Sequence, residues 1–171
     1  MGTITLKGAA THTVGTLPKT GGAAPDFTLT TTNLNDVSLH DYKGKNLVLN
    51  IFPSLDTATC AMSVRAFNMR VAKLPNTVVL CISMDLPFAM KRFCENEGLN
   101  HVISLSGFRH PGFGAVYGLT IADGPLKGLF SRAVIVINDS GKVTYTEQIA
   151  EIADEPQYDK ALAVIKETVP V

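Results

Sequence analysis

Apolar residues in this chain fall into two rhythms, short branched runs and longer stretches at helical spacing, and their order predicts the fold. Leu47-Val48-Leu49-Asn50-Ile51-Phe52 is too short and too rich in branched residues for a helix, so it reads as a buried central strand that Pro53 ends. After it, Val64, Phe67, Val71 and Leu74 recur at helical spacing. They predict a helix whose first turn holds Cys60, capped by Thr57 or Thr59 accepting a backbone N–H. Thr77 to Ser83 is a second continuous apolar strand, and Pro87 opens a second helix running to about Gly98. Two strand–helix units in succession imply parallel strands joined by right-handed crossovers.

The flanks follow the same logic. Ile4-Thr5-Leu6 and Thr11-His12-Thr13-Val14 alternate around Gly8, which predicts an N-terminal hairpin within residues 1–17 that decorates the fold. Thr28 to Thr31 and Val37 to Leu39 flank a turn at Asn33-Leu34-Asn35-Asp36. Downstream, Val102 to Leu105 reads as a short strand and Gly112 to Gly118 as a helical turn. Ala133 to Ile137 and Lys142 to Thr146 form an antiparallel hairpin about Asn138-Asp139-Ser140-Gly141, and Tyr158 to Val169 closes with an amphipathic helix. A parallel half joined to an antiparallel hairpin, with helices on both faces, is an α/β, thioredoxin-like arrangement: a mixed central sheet flanked by helices, with an extra N-terminal β-hairpin. The expectation is one domain over residues 1–171.

Composition narrows the chemistry. At 171 residues and 46% hydrophobic, the chain has apolar material for a real core. Lys plus Arg and Asp plus Glu are both 15, the formal net charge is +0 and no basic cluster occurs, so nucleic-acid binding has no electrostatic footing. Met1-Gly2-Thr3-Ile4-Thr5-Leu6-Lys7 lacks the start of a secretory signal, and no segment approaches the ~18 apolar residues of a membrane span, which predicts a soluble cytoplasmic protein. Three cysteines are too few for a secreted disulfide scaffold and suit catalysis or redox sensing in a reducing cytosol. His12, His40, His101 and His110 share no spacing with a cysteine, so no metal site is expected. Neither Gly-x-Gly-x-x-Gly nor a Walker loop occurs, and no cofactor is expected.

Cys60 is the candidate for chemistry, because unpaired N–H groups and the positive end of the helix dipole stabilise a thiolate in a helical first turn. Cys81, mid-strand among Val79, Leu80 and Ile82, reads as an inert core thiol. Cys94, on the helix from Pro87, either packs against the sheet or acts as a second thiol. Arg132 precedes an apolar strand that would start beside the active site, and a strand-edge arginine of this kind is usually solvated.

The spacing Pro53-x-x-x-Thr57-x-x-Cys60 resembles the active-site signature of the peroxiredoxins, and Phe52-Pro53-Ser54-Leu55-Asp56-Thr57 with Ser63-Val64-Arg65 is similar to their thiol peroxidase branch, atypical two-cysteine enzymes of bacteria. Ala24-Pro25-Asp26-Phe27-Thr28-Leu29, Asp85-Leu86-Pro87-Phe88-Ala89, Arg92-Phe93-Cys94, Ser131-Arg132-Ala133-Val134 and Tyr145-Thr146-Glu147-Gln148 extend the resemblance over nearly the whole chain. Ala58 departs from it where many members carry a second proline, and Met62 and Met84 stand where smaller residues are usual. The resemblance implies a thioredoxin-fold peroxidase acting on organic hydroperoxides and hydrogen peroxide, with Cys60 oxidised to a sulfenic acid and Cys94 resolving it as an intramolecular disulfide. It also implies that Arg132 faces the reactive sulfur, with Thr57 and Pro53 shaping the loop, and that thioredoxin recycles a homodimeric enzyme. Leu55, Met62, Met84 and Phe88 near the site would favour organic hydroperoxides. Two other readings stand beside this one. A protein thiol–disulfide oxidoreductase is disfavoured because Ala61-Met62-Ser63 follows Cys60 without a second cysteine, and a redox sensor or binding module would use the bridge without turnover.

Overall fold

A computed structural model describes residues 1–168, with side chains to residue 165. β1 (Thr3–Leu6) and β2 (Ala9–His12) pair as an antiparallel hairpin. β3 (Thr28–Thr31), β4 (Asp36–Ser38), β5 (Asn46–Ile51), β6 (Thr77–Ser83), β7 (Val102–Ser106), β8 (Ala133–Ile137) and β9 (Val143–Gln148) form a seven-stranded sheet in the order β4-β3-β7-β6-β5-β8-β9. The helices are α1 (Ala58–Val71), α2 (Pro87–Glu97), α3 (Gly112–Val116) and α4 (Tyr158–Thr168). β5, β6 and β7 are mutually parallel, whereas β8 runs antiparallel to β5 and β9 to β8. The parallel half and the terminal hairpin thus meet at β5, giving the thioredoxin-like arrangement with its extra hairpin. Val169, the predicted end of the last helix, lies outside the described residues.

Strand alternation sorts the core into two layers. Val48, Val79, Cys81, Val134 and Val136 face α1, α2 and α4, where Val64, Phe67, Met90, Ala161, Leu162 and Ile165 cover them. Leu49, Ile51, Leu80, Ile82 and Ile135 face the other way, toward Phe27, Phe113, Tyr117 and Phe130. The helices do flank both faces, but unevenly: the three long ones share one face, and the short α3 joins the other together with a 3-10 turn at Leu39–Tyr42. Among the described residues no helix is long and apolar enough to cross a membrane.

The N-terminal hairpin departs from the reading in register and in role. Lys7 (φ 50) and Gly8 (φ 82) form a two-residue turn that pairs Leu6 with Ala9, so β2 begins earlier than expected. Nor is the hairpin decoration. Thr5 N–H donates to Ala150 O (2.7 Å), Thr5 O accepts from Ile152 N–H (2.9 Å), and Ile4 packs with Ile121 and Ile152.

Candidate active site

β5 and β6 are parallel, so their carboxyl ends open on one edge of the sheet, where the loops into α1 and α2 meet. Phe52 N–H bonds to Ile82 O (3.1 Å) and Pro53 is buried, fixing the start of the first loop. Ser54 O then accepts both the N–H (3.2 Å) and the hydroxyl (3.0 Å) of Thr57.

Thr57 is the N-cap of α1 by its backbone (φ −98, ψ 145), but the predicted side-chain cap is absent. Its hydroxyl is drawn to the Ser54 carbonyl of the turn it closes, and Thr59 Oγ1 donates to Ala153 O (2.9 Å), so neither threonine accepts a first-turn amide. The correction favours the chemistry. The first turn of a helix has no intrahelical acceptors for its amides, and Ala61 N–H to Thr57 O (3.1 Å) is a bond formed only after Cys60, so Cys60 lies in the turn where the helix end is positive.

Cys60 is 0% exposed and packs with Phe52, Leu55 and Val64. Arg132, itself only 2% exposed, donates from Nη2 to Cys60 Sγ at 3.1 Å. Its Nε donates to Ile152 O (2.7 Å), and its buried Nη1 has no partner. Among the described residues no carboxylate forms an ion pair with Arg132. A buried cation needs polar partners, and those set against this one are the Ile152 carbonyl and the Cys60 sulfur. The Ile152 carbonyl that orients the guanidinium belongs to the segment backed by the N-terminal hairpin, so β1 is part of the support of Arg132.

Beneath Cys60, Asn50 Nδ2 donates to Ser63 Oγ (3.2 Å) and Ser63 Oγ donates to the Cys60 carbonyl (2.8 Å). Asn50, Ser63, Ile152 and Asp85 did not emerge from sequence reasoning as site residues. A signal existed for Asn50: a lone amide inside an apolar central strand is costly unless something uses it.

The sheet register carries the row onward, pairing Asn50 with Cys81 and Cys81 with Ser104. Cys81 is fully buried, with Asn50 Nδ2 at 3.8 Å, and burial pushes its thiol up to about 12. Cys94 Sγ lies 3.3 Å from Ser104 Oγ, packed against the layer that holds Cys60 and beside a groove of about 540 Å³ lined by Lys91, Glu95, Leu99 and Tyr42. Three free cysteines are present, and α1 and α2 are joined at the surface by a bidentate pair from Arg65 Nε and Nη2 to Glu97 (both 2.9 Å). Arg132 and Cys60 therefore meet directly, Pro53 and Thr57 lie on the loop that leads into α1, and Cys94 shares the layer from its own helix. The four apolar residues expected near the sulfur do not converge. Leu55 packs beside Cys60, but Met84 joins the opposite layer, and Met62 (42%) and Phe88 (67%) are exposed.

Residues 19–162 match the Redoxin family. The chain is 53% identical over 165 residues to the thiol peroxidase of Mycobacterium bovis, covering 96% of this chain and 99% of that protein. It is 51% identical over 160 residues to the thiol peroxidase of Corynebacterium glutamicum, covering 94% and 96%. A crystal structure of a peroxiredoxin-like protein from Aquifex aeolicus superposes with a TM-score of 0.92 at 38% identity, covering 98% of this chain and 97% of that one. On this evidence, and with a thioredoxin-like sheet carrying a cysteine at the mouth of its first long helix, the chain belongs to the Redoxin family, among the thiol peroxidases.

Proposed function

We propose that this thiol-dependent peroxidase reduces hydroperoxides at Cys60 and resolves the product with Cys94. The observation that carries the reading is the buried 3.1 Å contact from Arg132 Nη2 to Cys60 Sγ, with Nη1 left unpartnered beside it. Peroxide reduction requires a thiolate and donors aimed at the oxygens on which charge develops. The Cys60 thiolate attacks one peroxide oxygen; the S–O bond forms as the O–O bond breaks, and the leaving alkoxide or hydroxide takes up a proton to become an alcohol or water. Arg132 Nη1 and the first-turn amides of α1 stabilise the charge in passage. Thr57, exposed at the mouth, exchanges its Ser54 carbonyl for the arriving peroxide, and buried Pro53 keeps bulk water from the sulfur.

The Cys94 sulfur then attacks the Cys60 sulfenic sulfur, expelling hydroxide, which leaves as water with the Cys94 proton. A dithiol reductant, thioredoxin, returns two electrons by exchange, and the open groove beside Cys94 supports attack from that side. Such recycling works where thioredoxin is kept reduced, which supports a cytoplasmic setting for a homodimeric enzyme. Organic hydroperoxides and hydrogen peroxide are both substrates. The test is a coupled assay in which purified protein, thioredoxin, its reductase and NADPH are mixed and cumene hydroperoxide or hydrogen peroxide is added. NADPH oxidation should start on peroxide addition and disappear in Cys60→Ser; turnover in Cys60→Ser would end the assignment.

A further inference from the structure

The mechanism above leaves one conspicuous carboxylate unused. Asp85 follows β6, and its Oδ1 accepts from Ser54 Oγ (2.7 Å) while its Oδ2 accepts from Leu55 N–H (2.8 Å) and Ser83 Oγ (2.6 Å). Its own N–H donates to Ser83 Oγ (3.2 Å), and its carbonyl accepts from Ser106 Oγ (2.6 Å), anchoring it to the ends of β6 and β7. Among the described residues no lysine or arginine pairs with it, so the carboxylate is held by neutral donors alone.

Those donors reach the reactive loop. Ser54 Oγ also accepts from Asp56 N–H (3.2 Å), and Ser54 O accepts from Thr57 N–H and Thr57 Oγ1. Asp85 therefore organises Ser54 to Thr57, the four residues immediately before α1, through two hydrogen bonds to a carboxylate, which are stronger than neutral ones. On its other side, Leu86 is the N-cap of α2 and Leu86 O accepts from Met90 N–H (3.2 Å), so the residue after Asp85 starts the helix that carries Cys94.

Resting on the Cys60 and Cys94 reading, we infer that Asp85 is a positioning residue that sets the balance between the two steps of the reaction. With the loop latched to Asp85, Cys60 is aimed at peroxide. Cys94 sits on its own helix as a free thiol, and in this proposal bridging proceeds through local opening of the loop or of α2, which the latch opposes. Replacing Asp85 by Asn leaves only a neutral carbonyl for the Leu55 N–H and forces the Ser54 hydroxyl to accept from the amide instead of donating, so both charge-assisted bonds of the latch become weaker neutral ones. The variant should shift the population toward the opened loop.

The signature is a pair of effects of opposite sign, which a general loss of structure would not produce. In Asp85→Asn, the second-order rate of Cys60 oxidation by hydrogen peroxide, read by stopped-flow fluorescence or competition, should fall about tenfold or more. Formation of the disulfide from the sulfenic acid should become faster. At excess peroxide, the sulfinic acid formed when a second peroxide oxidises Cys60 before Cys94 arrives should then decrease in mass spectra. Ser54→Ala should show the same signs more weakly, and the double variant should do no more than Asp85→Asn, because both act on one contact. Ser54→Ala alone carries the test if Asp85→Asn does not fold. Both rates unchanged, both rates falling together, or additive losses in the double variant would overturn the inference. Peroxide consumption by Cys60→Ser would instead overturn the reading beneath it.

Discussion

Arg132 Nη2 lies 3.1 Å from Cys60 Sγ, and the two side chains, drawn from β5–α1 and the start of β8, are both buried. The three nitrogens of one planar group are divided there between a backbone carbonyl, the sulfur and, for the buried Nη1, no hydrogen-bond partner. The division makes the guanidinium fork, rather than its charge alone, the feature that aims the free donor.

Arg132→Lys tests this. Lysine keeps a charge but cannot hold Ile152 O and the sulfur in the same fixed fork. The rate of Cys60 oxidation should fall at least tenfold, about 1.4 kcal/mol of transition-state stabilisation. An unchanged rate in stopped-flow would reduce Arg132 to a bystander.

Cys81→Ala should leave peroxidase turnover unchanged. Its thiol, pushed up to about 12 by burial, stays protonated at neutral pH, and iodoacetamide should modify the native protein at the half-buried Cys94 while sparing Cys81. The substitution should cost about 1 kcal/mol of stability in urea titration, as small buried deletions do. A large loss of turnover would mean that Cys81 takes part in the redox chemistry.

Ile4→Ala tests the support given by the hairpin. Ile4 is 2% exposed and packs on Ile152, whose carbonyl holds Arg132 Nε. The deletion should cost about 2–5 kcal/mol of stability, as core truncations of this kind do. In the fraction that remains folded, it should also slow Cys60 oxidation while leaving alkylation of Cys94 as it was. Equal oxidation rates in the folded variant and the parent would return the hairpin to decoration.

Asp123 provides a pH test away from the site. Its carboxyl accepts from Thr11 Oγ1 (2.7 Å), then from His12 Nδ1 (2.6 Å) and His12 N–H (2.9 Å), and these bonds lower it from 3.8 to about 2. A carboxyl held below its unfolded value stabilises the fold above 3.8 and loses that contribution as pH falls through about 2. The Tm gap between the parent and Asp123→Asn should therefore be full near about pH 5 and close between about pH 4 and pH 2. A gap that widens on acidification would contradict the assignment.

Much of the site was legible because its signals are local. The run ending at Pro53, the helical spacing after Cys60 and the glycine at the end of α2 each fix a backbone state with nearby residues, and Gly98 adopts φ 65 as such a helix end requires. What escaped depends on partners distant in sequence. Thr57 offers the same hydroxyl whether it caps α1 or bonds Ser54 O, and the choice is made by the turn that Asp85 holds from the end of the next strand. The link from Thr5 to Ile152 to Arg132 spans nearly the whole chain and leaves no mark in any local pattern. Met84 and Phe88 misled for the same reason: their neighbours in sequence lie at the site, yet one faces the opposite layer and the other points to solvent.

In the proposed reaction Cys60 takes the oxidising equivalent and Cys94 of the same chain resolves it. Reduced protein treated with one equivalent of cumene hydroperoxide, digested without reductant and read by mass spectrometry tests it most directly. The expected products are a monomer by denaturing non-reducing gel, a Cys60–Cys94 linked peptide pair and Cys81 recovered as the free thiol. A bridge to Cys81, a Cys60–Cys60 bridge between chains as the sole product, or Cys60 recovered reduced after the peroxide is consumed would contradict it.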